Sequence, residues 1–235
     1  MKRLETERLI LDKWTKKDAR DLFAYASTPN VGPLAGWKPH ETIGESKMRI
    51  KKIFIPNGIW KITLKDGMLL SDLGGAPGAD HYNSDRSRDA GEGSGRDSGE
   101  ESGREPGEGS GRDAGEGSGT KFKTGVAIGS IGFEPDNRRP EIKARELGYS
   151  LAEDYWGLGL MTEAGRAVID YGFSAMDLQV ISIETAPDNE RSQRVIEKLG
   201  FKFEGCLRDS YLTIDDKVRD TFVYSILRSE WQASR

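Results

Sequence analysis

The sequence predicts a mixed α/β fold in one domain, residues 1–235, interrupted by a long polar insert. Three observations lead to this prediction. Short segments that alternate apolar and polar residues, typical of half-buried strands, occur in both halves of the chain. Two segments with helical spacing follow the first strand, and a strand–helix–strand order occupies the second half. Residues 71–120 differ from both, because glycine, serine and charged side chains dominate them.

The N-terminal segment predicts one strand and two helices. The stretch "RLILDKW" (8–14) has the composition of a strand. Thr15 followed by Asp18 resembles a capping box and predicts the start of a helix. Thr42 and Glu45 repeat this signal ahead of a second helix.

Two strands flank the polar insert. The stretch "IWKITLK" (59–65) alternates apolar and polar residues, and "GVAIGSIGF" (125–133) has the pattern of its partner strand. The insert then lies in a hairpin connection. Added length costs little there, because loop-closure entropy grows only logarithmically with length.

The insert contains a repeat of period eight. Residues 88–119 consist of "RDAGEGSG", "RDSGEESG", "REPGEGSG" and "RDAGEGSG", and no unit has the large apolar residue that stacked repeats bury. The segment 71–120 holds 12 acidic residues and 5 arginines, and it cannot bury enough surface to offset its ordering entropy. We predict that 71–120 is disordered. It is either a surface loop without a catalytic role or a tether to a basic partner.

The second half predicts alternating strands and helices. Ala164, Val168 and Tyr171 have helical spacing, Asn189 is a strong N-cap residue and Gly200 suits a helix C-terminus. The predicted elements are a strand at 145–151, a helix from 161 to about 176, a strand at 179–186, a helix from 189 to 199, and strands near 202–210 and 217–227.

Charge and cysteine content exclude several classes of function. The 185 residues outside 71–120 carry 30 basic and 27 acidic side chains, too balanced for a nucleic-acid-binding surface. Cys206 is the only cysteine, so no intramolecular disulfide forms, and we expect it to pack as a small apolar residue. No Cys, His and Asp cluster has metal-ligand spacing. We therefore expect no DNA and no metal.

Targeting signals are not predicted either. No run reaches the roughly 18 apolar residues that cross a bilayer, and "MKRLETERLIL" has charges where a signal peptide has its apolar core. We expect a soluble cytoplasmic protein without a membrane partner.

The stretch "DYWGLGLMTEA" (154–164) places Gly157 and Gly159 where a strand gives way to a helix. Glycine permits a tight turn, and it also lets a phosphate approach the unpaired N–H groups of a helix N-terminus. Thr162 occupies the third glycine position of a dinucleotide-binding motif, and no Walker lysine is present. The spacing alone therefore leaves a tight turn and a phosphate-binding loop as alternatives.

The stretch "GLGLMTEA" resembles the acyl-coenzyme A pyrophosphate loop of the GCN5-related N-acetyltransferase (GNAT) superfamily. Its pattern, Gln/Arg-x-x-Gly-x-Gly/Ala, falls on Trp156, Gly159 and Met161, and only Gly159 agrees. The order of motifs along the chain resembles the RimJ/RimL-like branch, which modifies ribosomal-protein N-termini. These motifs are "ETERLIL", "ELGYSL", "YWGLGLMTEA", "NERSQRVIEKLGF", "EGCLRD" and "RDTFVYSILRSEW". They cover nearly everything outside 71–120.

The resemblance implies a mostly antiparallel sheet, splayed at its middle and flanked by helices, that binds acetyl-coenzyme A (acetyl-CoA). Backbone N–H groups of the glycine turn would bind the pyrophosphate, and the strand "GYSL" would pair with the pantetheine arm. A backbone N–H near Tyr149 or Ser150 would face the thioester oxygen. The residues implied in cofactor binding are Tyr149, Ser150, Leu151, Gly157, Leu158, Gly159, Leu160, Met161 and Thr162.

The helix that begins at Asn189 is implied in the same site. Asn189 is expected to cap the helix, which leaves it free to contact the pantetheine or an ordered water, and the resemblance implies that Ser192 points at the coenzyme sulfur. Other branches carry a tyrosine acid four residues later, where this chain has Ile196. Ser192 is therefore the candidate proton donor. Arg194 is either an exposed helix residue or a phosphate ligand.

The resemblance also implies a smaller set of residues in the part of the site that binds the acceptor amine. Glu146, at the head of "ELGYSL", is the candidate catalytic base, with Glu134 as a second candidate. Trp37 and His40 lie in the connection that walls the acceptor site in the family.

The implied reaction is transfer of an acetyl group from acetyl-CoA to a primary amine. The acceptor would be a protein N-terminus, such as that of a ribosomal protein, or a small amine such as a polyamine, amino acid or antibiotic. A non-catalytic acyl-CoA-binding module is the alternative. The sequence is compatible with a monomer or a homodimer.

Overall fold

The computed structural model describes residues 1–66 and 124–234. The predicted insert at 71–120 lies outside the described residues. The strands are β1 (Leu4–Glu5), β2 (Leu9–Lys13), β3 (Trp60–Leu64), β4 (Gly129–Pro135), β5 (Ala144–Leu151), β6 (Val180–Thr185), β7 (Lys202–Leu212) and β8 (Val218–Leu227). The helices are α1 (Ala19–Ala26), α2 (Val31–Leu34), α3 (Ile43–Arg49), α4 (Ile55–Asn57), α5 (Leu160–Ser174), α6 (Glu190–Lys198) and α7 (Arg228–Ala233).

All eight of these strands form one sheet in the order β1-β2-β3-β4-β5-β6-β8-β7. Every neighbouring pair is antiparallel except β5 and β6, which are parallel because α5 crosses between them. The predicted pairing of the strands around the insert is confirmed, since Trp60 of β3 lies opposite Ile131 of β4. The fold is the mixed, mostly antiparallel α/β class that the sequence predicts.

Strands β5 and β6 diverge partway along their length. Their pairing begins at Ala144 with Val180 and ends at Glu146 with Ser182. Strand β5 nevertheless continues to Leu151, paired on its other side with β4 from Arg145 to Leu151. The predicted splay at the middle of the sheet is therefore confirmed, and one edge of β5 faces the resulting gap.

The two faces of the sheet are covered by different helices. A larger apolar cluster joins one face to α5 and α6, with Leu160, Val168 and Ile169 fully buried. A smaller cluster joins α1 to the turn that follows α3 through Leu22 and Ile50, and Tyr25 of α1 contacts Ser150 on the other face. Successive residues of β5 therefore point into two different layers.

Local signals in the sequence are confirmed at the helix ends. Thr15 and Asp18 form the capping box, although a short 3-10 turn (Lys16–Asp18) precedes α1. The Thr42 hydroxyl accepts a hydrogen bond from the Glu45 N–H, as its spacing predicts. Helix α3 continues as a π-helical turn (Ile50–Phe54), which the sequence did not indicate.

The end of α6 has the predicted glycine stop. Gly200 has a φ of +84°, its N–H donates to the Glu197 carbonyl, and the N–H of Phe201 donates to the Ile196 carbonyl. The sequence did not predict the short β1 and α2 or the C-terminal α7. The expectation for Cys206 was wrong: its side chain is exposed, because it lies on the outer strand β7.

Candidate active site

The glycine turn before α5 has backbone geometry that both interpretations require. Gly157 has a φ of +77° and Gly159 a φ of +73°, in the left-handed region that disfavours other residues by about 1–2 kcal/mol. The first hydrogen bond of the helix runs from the Glu163 N–H to the Gly159 carbonyl, 3.1 Å. The N–H groups of Leu160, Met161 and Thr162 therefore precede the helical ladder and are available to an anion.

The turn is held in place by the segment between β1 and β2. The Arg8 Nε lies 2.6 Å from the Glu163 carboxylate, and its Nη1 donates to the Leu158 carbonyl at 3.0 Å. The Thr6 hydroxyl and the Arg8 N–H also donate to Glu163. The Arg8 and Glu163 side chains are only 16% and 17% exposed. Arg8 is therefore a positioning residue for the turn, and its role was not predicted.

Trp156 occupies the position where the superfamily pattern has Gln or Arg. Its indole Nε1 donates to the Leu151 carbonyl at 2.8 Å, which ties the end of β5 to the turn. The Arg191 guanidinium lies 4.8 Å above the same indole ring. A positive charge is thus present near the turn, but it belongs to Arg191 of α6 and not to residue 156.

The backbone of β5 alternates in direction between its two neighbours. The Lys143 carbonyl accepts from the Gln179 N–H on the side of β6, at 2.7 Å. The Ala152 N–H donates to the Ile128 carbonyl on the side of β4, at 2.8 Å. Because the direction alternates at every residue, odd-numbered residues of β5 direct their N–H and C=O toward β6.

This alternation identifies the amide at the gap. Beyond Glu146, where β6 has diverged, the Tyr149 N–H faces the gap and the Ser150 N–H faces β4. Of the two N–H groups left open by the sequence, Tyr149 has the required direction. A Cβ added at Gly148 would meet no atom within 4 Å, so space is available beside this stretch.

Glu146 lies where the two strands separate. Its carboxylate is 3.2 Å from Nη2 of Arg138, which also pairs with Glu184. Burial raises the pKa of Glu146 above its usual value, and Arg138 counteracts part of that rise. Glu134 lies directly across on β4 but is exposed. Of the two predicted bases, Glu146 is the one held in a half-buried position.

Tyr149 and Ser192 meet on the opposite face of the sheet. The Tyr149 hydroxyl is 2.9 Å from the Ser192 hydroxyl, and the Ser192 N–H donates to the Asn189 side chain at 3.1 Å. Burial raises the pKa of Tyr149 to about 12, so its hydroxyl stays protonated at neutral pH. Asn189 is the helix cap, as predicted. Ile196, at the α6 position where other branches carry a tyrosine, is buried. The hydroxyl that lies beside Ser192 comes from Tyr149 on β5, which sequence spacing did not reveal.

Trp37 and His40 lie between α2 and α3 and line a cavity of about 520 Å³. His40 is buried rather than solvated, and its Nδ1 is 2.7 Å from the Ser46 hydroxyl. Burial, with the nearby Arg49 cation, lowers the pKa of His40. The structure thus brings both predicted wall residues to one cavity.

The remaining sequence predictions concern Arg194, metal binding and membrane-spanning helices. Arg194 is exposed and pairs with Glu190 on its own helix, 3.2 Å away. Within residues 1–66 and 124–234, three or more His, Cys, Asp or Glu side chains nowhere converge as a metal site would require. In the same two ranges, the helices are too short or too polar to cross a membrane.

Comparisons with known proteins relate part of the chain to acetyltransferases. Residues 110–202 match the family model described as "Acetyltransferase (GNAT) domain". The N-acetyltransferase p20 of Bacillus licheniformis is 35% identical over 112 residues, 46% of this chain and 60% of that protein. The ribosomal protein uS5-alanine N-acetyltransferase of Escherichia coli is 35% identical over 97 residues, 41% of this chain and 50% of that protein. The chain spans about half the length of the curated relatives it matches.

Solved structures share the fold. A GNAT-family acetyltransferase from Bacillus anthracis aligns with a TM-score of 0.64 at 19% identity, over 97% of this chain and all of that one. The ribosomal-protein-S5-alanine acetyltransferase from Vibrio fischeri has a TM-score of 0.62 at 18% identity, over 98% and 99% of the two chains. A spermidine N-acetyltransferase from Vibrio cholerae has a TM-score of 0.57 at 16% identity, over 97% and 98%. The resemblance to the GNAT superfamily and its RimJ/RimL-like branch is confirmed.

Proposed function

We propose that this chain, which carries a GNAT acetyltransferase domain, transfers an acetyl group from acetyl-CoA to a primary amine within a ternary complex. One observation supports this proposal most directly. The part of β5 beyond Glu146, which has a free edge, leads along the chain into the glycine turn at the N-terminus of α5. A diphosphate fits the N–H groups of the turn, and an extended amide chain fits the free strand edge.

The residues present fit acetyl-CoA, whose thioester supplies the acetyl group. The N–H groups of the turn, from Leu158 to Thr162, would hold the pyrophosphate, with Arg191 as an additional cation. The edge of β5 at Tyr149 to Leu151 would pair with the pantetheine, and open space at Gly148 leaves room for it. The Tyr149 N–H would donate to the thioester oxygen as negative charge develops on it.

Glu146 would accept the proton of the attacking amine, directly or through one water molecule. Even-numbered residues of β5 share the face that packs against α1, as the contact of Ser150 with Ser130 and Tyr25 indicates. The carboxylate of Glu146 therefore lies on the side of the sheet that also carries the Trp37 and His40 wall. An amine would approach the gap from this side.

Ser192 would donate a proton to the departing thiolate from the opposite face, with Tyr149 as its hydrogen-bond partner. Acid and base are then separated by the sheet itself, one on each side of the gap. Each group could then contact the reacting centre from its own side of the sheet.

The Tyr149–Ser192 pair gives a specific prediction. We expect Tyr149→Phe to lower kcat about 3–10-fold and Ser192→Ala to lower it by about as much, with no further loss in the double variant, because the two hydroxyls act as one unit. Release of coenzyme A thiol is the measurement. Additive losses would contradict the shared role, and the KM for acetyl-CoA serves as the control for binding.

We propose as acceptor a protein N-terminus or a small primary amine. The uS5-alanine N-acetyltransferase relative supports the first, and the spermidine N-acetyltransferase likeness in fold leaves room for the second. The test is incubation of the full chain with acetyl-CoA and a panel of N-terminal peptides, polyamines and amino acids, with acetylation read by mass shift. Coenzyme binding without transfer to any amine would point to a non-catalytic acyl-CoA-binding module.

A further inference from the structure

Arg49, the last residue of α3, carries a partly buried guanidinium that forms no ion pair within 4 Å among the described residues. It lies 4.5 Å above the Trp37 ring and 5.7 Å from the Phe54 ring. Its Nε is shielded from solvent and has no hydrogen-bond acceptor in residues 1–66 and 124–234. Buried charges are normally paired, because removing an ion from water is costly. The Arg49 guanidinium therefore lacks, in the described part of the chain, an anionic hydrogen-bond acceptor that its N–H groups could bind.

Arg49 lies at the cavity and on the same side of the sheet as Glu146. Its side chain lines the cavity of about 520 Å³ together with Trp37 and His40. It also interacts electrostatically with Glu134, which lies directly across from Glu146 on the sheet. A molecule in the cavity would thus contact Arg49 on the side of the sheet from which an amine approaches Glu146.

The donors in this cavity suit a carboxylate. A guanidinium presents its N–H groups as a planar fork that matches the two oxygens of a carboxylate. The acids Glu41 and Glu45 line the same cavity beside Lys38 and Lys52, and they disfavour a dianion such as a phosphate.

We propose that Arg49 binds a carboxylate of the acceptor, so that the acceptor class is a primary amine that also bears a carboxylate. The inference rests on the proposed acetyl transfer and narrows its substrate. The carboxylate has two possible sources: the α-carboxylate of a free amino acid, or an acidic side chain that follows the N-terminal residue of a peptide.

The experiment compares matched acceptors that differ only in charge. One arm uses amino acids against their carboxamides, and the other uses tripeptides with Glu or Gln at the second position. The full chain, Arg49→Met and Lys47→Met are assayed, since Lys47 is an exposed cation of the same helix outside the cavity. We expect kcat/KM to favour the carboxylate by about 10–100-fold in at least one arm, and Arg49→Met alone to abolish the preference.

The outcomes separate this inference from the proposed function. If neither arm favours the carboxylate, or if Arg49→Met keeps the preference, the inference is wrong even though transfer occurs. If no amine is acetylated, the proposed function fails, and the anion site is then tested by calorimetry of N-acetyl amino acids against their amides with coenzyme A present. Equal binding of the two would overturn it. Thermal unfolding and acetyl-CoA affinity of Arg49→Met show whether the variant is folded.

Discussion

Replacement of Glu146 by Gln is expected to lower kcat/KM for the amine by about 10²–10⁴-fold, the range for loss of a general base. The amide keeps the shape of the side chain but cannot accept the proton. Acetyl-CoA affinity should stay within about threefold, because position 146 precedes the free edge of β5. The measurements are steady-state thiol release and calorimetric titration with acetyl-CoA.

The pH dependence gives this prediction a second measurement. Because burial raises the pKa of Glu146, the acidic limb of the kcat/KM profile should lie above the pH expected for an ordinary glutamate. Arg138→Met should move that limb to still higher pH, since Arg138 favours the ionised carboxylate. Glu146→Gln should abolish the limb.

The stability of the folded Glu146→Gln variant provides the control for its activity. A carboxyl group with a raised pKa stabilises the folded protein below its unfolded-state pKa, and that contribution is lost as pH rises through the folded-state pKa. Near pH 7 the glutamine therefore removes no favourable ionisation, and we expect urea titrations to give Glu146→Gln an unfolding free energy close to that of the parent. Glu134→Gln, across the strand pair, is the matched variant. An equal loss of activity there, with Glu146→Gln active, would transfer the role to Glu134.

Substitution of Gly159 by Ala is expected to raise the dissociation constant for coenzyme A by about 10–100-fold, through loss of a charge-assisted hydrogen bond. A Cβ at this position would meet only Arg8 Nη2, at 3.6 Å, within the protein. It would therefore project beside the N–H groups of the turn and keep phosphate oxygens at a distance. Strain at a φ of +73° should also cost about 1–2 kcal/mol of stability.

Gly200→Ala separates strain from binding. Gly200 has a φ of +84°, and its added Cβ would have its nearest contact at 3.7 Å, on Ile226. We expect the two variants to lose similar unfolding free energy in urea titrations. Only Gly159→Ala should lose coenzyme affinity. Equal affinities in both variants would mean that the turn has a structural role alone.

The sequence predicted those features that neighbouring residues determine. Alternation in 59–65 located β3, and the spacing of Thr42 and Glu45 located the start of α3. The turn at Gly157 and Gly159 followed from the same local reasoning. Each of these signals acts within a few residues, so it survives without knowledge of the tertiary structure.

The features that sequence reasoning missed depend on distant contacts. The Tyr149 hydroxyl reaches Ser192 only because α6 packs over β5, and Arg138 reaches Glu146 and Glu184 only because β5 and β6 are neighbours. An unpaired Arg49 is likewise invisible in a sequence, since pairing is a property of the folded chain. Motif order indicated the fold and cofactor, whereas these contacts required three-dimensional positions.

The contact of Arg8 with Glu163 spans 155 residues and gives the turn an unexpected dependence. The family-model match covers residues 110–202, so Thr6 and Arg8, which hold the glycine turn in place, lie outside the matched range. Energetic coupling between two sites is reciprocal. An anion that stabilised the turn would therefore also stabilise the contacts of Thr6 and Arg8 with the turn. Residues at the first edge of the sheet and a bound anion would then both stabilise the same loop.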